Sequence, residues 1–142
     1  MGKIYIYMIL LLVTSLGASE IKWAKDYDSG LSDAQKQNKP VFFVSSRHTC
    51  RYCIMLQDTT FKNKNVIKVL NKNFIAIISY SDEKDYIPKS LWQPGTPALW
   101  FLLPSGEPMF QPIMGVIKAD DFLKAIQIVK KEFDTQQKVK NK

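Results

Sequence analysis

"KPVFFVSSRHTCRYCIMLQ", residues 39–57, changes character twice. VFFVSS (41–46) is a short apolar run closing in small polar side chains, which predicts a buried strand. From Cys50 onward, Ile54, Leu56 and Gln57 continue a helical pattern, so the cysteine segment opens a helix. Both cysteines of the chain, Cys50 and Cys53, therefore fall at a single strand-to-helix junction, with Arg51 and Tyr52 between them and His48 just upstream.

Working outward, DSGLSDAQKQNKP (28–40) predicts a short helix with Leu31, Ala34 and Gln35 inward and Pro40 ending it. Downstream, NKNVIKVLNKN (63–73) places Val66, Ile67 and Leu70 at helical spacing between asparagines. FIAIIS (74–79) predicts a second apolar strand, DEKDYIPKSLWQPGTP (82–97) a polar connection, and ALWFLLP (98–104) a third strand. Ser105-Gly106 turns a hairpin into EPMFQPIM (107–114), which Pro108 and Pro112 demote to an edge. Phe122, Ile126, Val129 and Phe133 mark one face of a final helix, 119–133. Strand–helix–strand implies a parallel pair with a right-handed crossover, and the late hairpin adds antiparallel strands. The expected architecture is α/β: a central mixed sheet of about four strands flanked by helices.

This order, with Cys50-x-x-Cys53 after the first strand and Thr96-Pro97 before the third, resembles the thioredoxin superfamily. Lys39-Pro40 entering the strand, Phe61 after the cysteine helix and Asn73-Phe74 entering the next strand look most like the thioredoxin-like proteins of bacterial envelopes. The resemblance covers roughly residues 22–133. It implies a thiol–disulfide oxidoreductase with a redox-active Cys50–Cys53 disulfide, acting on protein thiols or disulfides with a membrane or envelope redox partner, and needing no cofactor. It also implies that Pro97 is the family's cis-proline and that Thr96 offers its backbone to an extended substrate.

The chemistry suits the placement. A thiolate, not a thiol, attacks disulfides, and a helix N-terminus lowers a free cysteine's pKa from about 8.5. Cys50 takes that N-terminal site as nucleophile. Cys53, about one turn further in, resolves the mixed disulfide. Arg51 adds a cation expected to favour the thiolate. The sequence departs from the family in two places: Thr49 stands where tryptophan is usual before the first cysteine, and VFFVSS lacks the acid that many members bury there. His48 is the remaining candidate proton acceptor for Cys53. Trp23, Trp92 and Trp100 are expected to pack, with Trp92 near enough to Thr96 in sequence to border the groove.

Other readings of the same thiols stay open. Structural zinc needs four ligands, whereas Cys50, Cys53 and His48 make three. Cu(I) accepts fewer soft ligands, so a copper carrier or metallochaperone is an alternative. A static disulfide in a non-catalytic interaction module is another, although so short a loop gains little stability from a bridge. Ile54 follows Cys53 where haem attachment would need histidine.

Lys3, the apolar run from Ile4 and Gly17-Ala18-Ser19 have the layout of a secretory signal peptide over residues 1–19, with an N-terminal anchor as the alternative. Residues 20–133 then form one thioredoxin-like domain in the periplasm or another oxidising exterior. Residues 134–142 are expected to be a disordered basic tail. The net charge of +7 comes from scattered lysines with no aromatic-interleaved basic block, so nucleic acid is not an expected partner.

Overall fold

The computed structural model describes residue 17 and residues 19–142; the segment read as a signal peptide lies, apart from Gly17 and Ser19, outside the described residues. Four helices, α1 (Tyr27–Gln37), α2 (Arg51–Asp58), α3 (Lys64–Asn73) and α4 (Ala119–Lys140), surround strands β1 (Val41–Ser46), β2 (Ile75–Tyr80), β3 (Ala98–Leu102) and β4 (Ile113–Met114). The strand order is β2-β1-β3-β4. β1 pairs in parallel with β2 from Val41↔Ile75 to Ser46↔Tyr80, and antiparallel with β3 from Val41↔Leu102 to Ser45↔Ala98. The expected mixed four-stranded sheet is the one observed.

β1 is buried at every residue because it is central in the sheet and helices cover both faces. Its side chains alternate. Phe42 and Val44 enter one core with Leu56 of α2, Val66, Ile67 and Leu70 of α3, and Phe122, Ile126 and Val129 of α4. Val41 and Phe43 enter the opposite core with Tyr27 and Ala34 of α1 and with Ile77, Leu91 and Trp100.

α1 and α3 begin where side chains satisfy their free N–H groups. Asp26 and Ser29 form a reciprocal capping box on α1. Asn63 accepts from the Asn65 and Val66 amides at the start of α3. α1 ends at Gln37 and is capped by Asn38, in the left-handed region at φ 48°, before Pro40 is reached.

Three expectations need correcting. Gln35 is exposed rather than inward, its amide donating to the Pro104 carbonyl at 3.2 Å, while Tyr27 and Gly30 supply the buried face with Ala34. EPMFQPIM does not form one edge strand: it bridges at Leu102↔Pro108 and pairs properly only over Ile113–Met114. At Pro108 the flanking Glu107 carbonyl and Met109 N–H make the ladder bonds, whereas Pro112, with no N–H to give, stands in the gap before pairing resumes at Ile113. The last helix is also longer than 119–133, because α4 continues to Lys140 through most of the residues read as a tail. No Gly or Pro interrupts it, Phe133 anchors it in the core, and Lys130–Asp134 (2.6 Å) and Gln136–Glu132 (2.9 Å) bridge successive turns.

Candidate active site

β1 ends at Ser46, and the chain turns through Arg47–Thr49 to Cys50, whose N–H donates to the Arg47 carbonyl at 3.3 Å. Cys50 is the N-cap of α2 in extended backbone, φ −83° and ψ 118°. Its Sγ accepts the Cys53 N–H at 3.2 Å. The sulfur thus replaces the missing partner of a first-turn amide, at the positive end of the helix.

Both cysteines are free thiols. Cys50 is half-buried, whereas Cys53 is 1% exposed. Burial opposes ionisation of Cys50. Hydrogen bonds from the Cys53 and Thr96 side chains and from the Cys53 and Tyr52 amides outweigh it, holding Cys50 below an ordinary thiol. Cys53 moves the other way: burial, then its hydrogen bond to Cys50, pushes it up, against weaker opposing bonds from Ser46, Thr96 and the Arg47 backbone. One environment therefore makes an accessible thiol that ionises readily and a buried one that ionises reluctantly.

The distant Thr96–Pro97 segment reaches this site. The Cys50 thiol donates to the Thr96 carbonyl at 3.4 Å. The Thr96–Pro97 peptide is cis, Pro97 is buried, and β3 starts at the next residue. Gly115, at φ 82° where a side chain would strain the backbone, donates its N–H to the Pro97 carbonyl at 2.9 Å and fixes β4 alongside.

The flanking candidates are placed differently. Arg51 is exposed and has no ion pair or side-chain hydrogen bond among the described residues. His48 is not turned to Cys53: Nδ1 faces Asp82 at 3.3 Å, Nε2 faces Glu83 at 3.6 Å, and the ring stacks on Tyr80. The carboxylates of Asp82 and Glu83 across the turn set its direction, and they lie in a segment the sequence does not tie to the cysteines. Among the described residues, no group of three or more His, Cys, Asp or Glu is placed to hold a metal ion.

Ser46 was not singled out in the sequence. It is 1% exposed, and its hydroxyl acts on Cys53 in the direction that lowers the thiol's pKa, a polar neighbour in a strand that lacks a buried acid. The small polar ending of VFFVSS was the available signal. Trp23 packs on Phe61 (5.6 Å between rings), and Trp100 is buried with its Nε1 donating to the Leu91 carbonyl at 3.1 Å. Trp92 does not pack: it is 61% exposed, as is much of Tyr52 and Met114.

Comparison with known proteins gives the same architecture. A thioredoxin from Thermus thermophilus superposes with a TM-score of 0.65 at 22% identity, over 78% of this chain and 87% of that one. A structure titled DsbH Oxidoreductase gives 0.64 at 14% identity, over 82% and 89%. Mouse spermatogenesis-associated protein 20 is 29% identical over 69 residues, which is 49% of this chain but 9% of that much longer protein. A family model matches residues 12–141, nearly the whole chain, and this protein therefore belongs to the Thioredox_DsbH family, described as a protein of unknown function, DUF255.

Proposed function

We propose that this chain is an exported thiol–disulfide oxidoreductase acting on protein substrates through Cys50 and Cys53. The observation that carries the reading is the asymmetry of the pair. Cys50 sits on the α2 N-terminus, half-buried and below an ordinary thiol in pKa, while Cys53 is fully buried behind it. An inert crosslink has no use for that difference, whereas a two-step exchange needs it.

In the reducing direction, the Cys50 thiolate attacks one sulfur of a client disulfide. The client S–S bond breaks, a mixed disulfide forms, and one client sulfur leaves as thiolate. Cys53 loses its proton and attacks the Cys50 sulfur, releasing the second client thiolate and leaving a Cys50–Cys53 disulfide. Two electrons pass to the client, and a membrane or envelope dithiol returns them to the pair. Run backward, the same steps oxidise a client dithiol. The Thr96 backbone beside Cys50 supplies a strand-like contact for the client. The exposed Tyr52, Trp92 and Met114 supply apolar area for it. Lys3, the apolar run from Ile4 and the small residues 17–19 support export, with the domain released into the periplasm or another exterior compartment.

The test is trapping from the exterior compartment of cells producing the full chain. Cys53→Ala should accumulate mixed disulfides through Cys50, and Cys50→Ala should accumulate none. Equal trapping by both, or failure of the wild-type pair to cycle between dithiol and disulfide in glutathione buffers, would sink the proposal.

A further inference from the structure

The turn that delivers Cys50 is held from outside. His48 donates its backbone N–H to Asp82 Oδ2 at 2.8 Å, and its ring Nδ1 lies 3.3 Å from Asp82 Oδ1. One carboxylate therefore grips both the backbone and the side chain of the same residue. On its far side the ring reaches Glu83 at 3.6 Å, and its face lies on Tyr80 with centroids 3.8 Å apart and planes at 22°. The Tyr80 hydroxyl accepts from Gln57 of α2 at 2.8 Å, and Ser81 Oγ donates to the Ser46 carbonyl at 3.4 Å. Residues 80–83 thus touch the end of β1, the turn after it, and α2. Those three pieces together set where the Cys50 sulfur sits.

We propose that Asp82 is a positioning residue for the Cys50 thiolate: by clamping His48 it fixes the Arg47–Thr49 turn, which holds the sulfur on the α2 N-terminus. The proposal rests on the redox reading of the pair given above. Hydrogen bonds to a carboxylate are roughly twice as strong as neutral ones, so Asp82 is the strongest anchor this irregular turn has. The turn closes through the Cys50 N–H on the Arg47 carbonyl at 3.3 Å, so a shift at His48 is passed to Cys50. At 3.2 Å the Cys53 N–H to Cys50 Sγ bond weakens with any further lengthening, and that bond helps hold the thiolate. Asp82 itself, though burial disfavours its charge, is held ionised below the usual carboxylate range by the His48 backbone and ring hydrogen bonds. The clamp therefore persists into mildly acidic conditions.

The experiment compares Asp82→Ala, Asp82→Asn and Glu83→Gln in the full chain. Thiolate absorbance against pH reads Cys50, and a glutathione titration reads the disulfide equilibrium. Asp82→Ala should raise the Cys50 titration midpoint and slow its alkylation at mildly acidic pH by roughly tenfold, the factor that one pKa unit represents. Asp82→Asn keeps an acceptor for the His48 N–H without the charge and should fall between Asp82→Ala and wild type. Glu83→Gln alters only the longer, exposed contact and should titrate like wild type. A thermal transition reports folding, and if Asp82→Ala does not fold, Asp82→Asn carries the comparison. A role in stability alone would lower the transition and leave the Cys50 midpoint in place, which would overturn the proposal. If instead the wild-type pair does not cycle in glutathione, the redox reading fails. The absorbance titration still decides the clamp, because it needs no redox partner.

Discussion

Cys50 and Cys53 differ through their surroundings, and the difference has a sign that pH reveals. The alkylation rate of a thiol rises with pH until its pKa is passed, since only the thiolate reacts. Cys50, held below an ordinary thiol, should therefore be modified first and reach its plateau at lower pH than a cysteine in an unfolded peptide. Cys53, raised by burial, should react only at higher pH or after unfolding. Mass spectrometry of partly alkylated reduced protein checks the order. Ser46 gives a second prediction. Its hydroxyl lowers Cys53 against the effect of burial, so Ser46→Ala should make the Cys53 thiolate harder to form. A neutral hydrogen bond has a net worth of about 0.5–1.5 kcal/mol, so resolution should slow by roughly two- to tenfold. Mixed disulfides through Cys50 should persist correspondingly longer, with the first attack unchanged, as stopped-flow kinetics would show. Arg51 is tested in the same way. It is exposed with no ion pair among the described residues, so Arg51→Glu changes the field at Cys50 without breaking a contact. A raised Cys50 midpoint is expected, and an unchanged one would remove Arg51 from the thiolate's support.

Among the elements, α1 shows how closely a helix approaches the sheet. A Cβ on Gly30 would lie 2.4 Å from Ile77 Cδ1 and 2.5 Å from its Cγ1, and Ile77 is fully buried in β2. Alanine is the better helix former by about 1 kcal/mol. Overpacking a filled core costs about 1–3 kcal/mol, and a clash with two atoms of one buried side chain places this site at the upper end. Gly30→Ala should therefore destabilise despite the helix propensity it gains. Ile77→Val shortens the side chain that is struck, so the double variant should lose less than the sum of the two single losses in urea denaturation. The same elements also bring Asp82 to the site: β2 ends at Tyr80, level with Ser46 of β1, and the 3-10 turn Ser81–Glu83 follows at once.

At the scale of the whole molecule, the thiols sit on the C-terminal end of the most deeply buried strand. Phe42, at the centre of β1, has Trp23, Phe61, Phe101 and Phe122 around it at centroid distances of 6.3, 5.9, 5.5 and 5.2 Å. It links the N-terminal segment, the turn after α2, β3 and α4. Phe42→Ala should cost about 3–5 kcal/mol, the range for truncating a buried aromatic ring. The urea midpoint should fall at an unchanged slope if the fold stays two-state. In the fraction that remains folded, Cys50 should titrate as in wild type, because none of these ring contacts reaches the α2 N-terminus. A shift of the Cys50 midpoint with Phe42 would show that the site is not mechanically separate from this core.

The local code was legible in the sequence wherever a pattern was short in range. VFFVSS had to be a buried strand, since an apolar run of that length has no exposed face, and β1 occupies those residues. Phe122, Ile126, Val129 and Phe133 had to share a helix face, and all four are buried. The cysteine spacing fixed which thiol would lie at the helix start and which behind it. Tertiary structure decided what depends on residues far apart in the chain. Thr96 comes within 3.4 Å of Cys50 only because β3 lies antiparallel to β1. His48 turns to Asp82 and Glu83 because the parallel pairing of β1 and β2 brings their ends level. α4 runs on to Lys140 because Phe133 anchors it and side chains one turn apart bridge beyond that point, where composition alone suggested a loose tail. Periodicity records which face of an element is buried. What that face meets, and which charge a polar side chain finds, is set by the packing of the elements against one another.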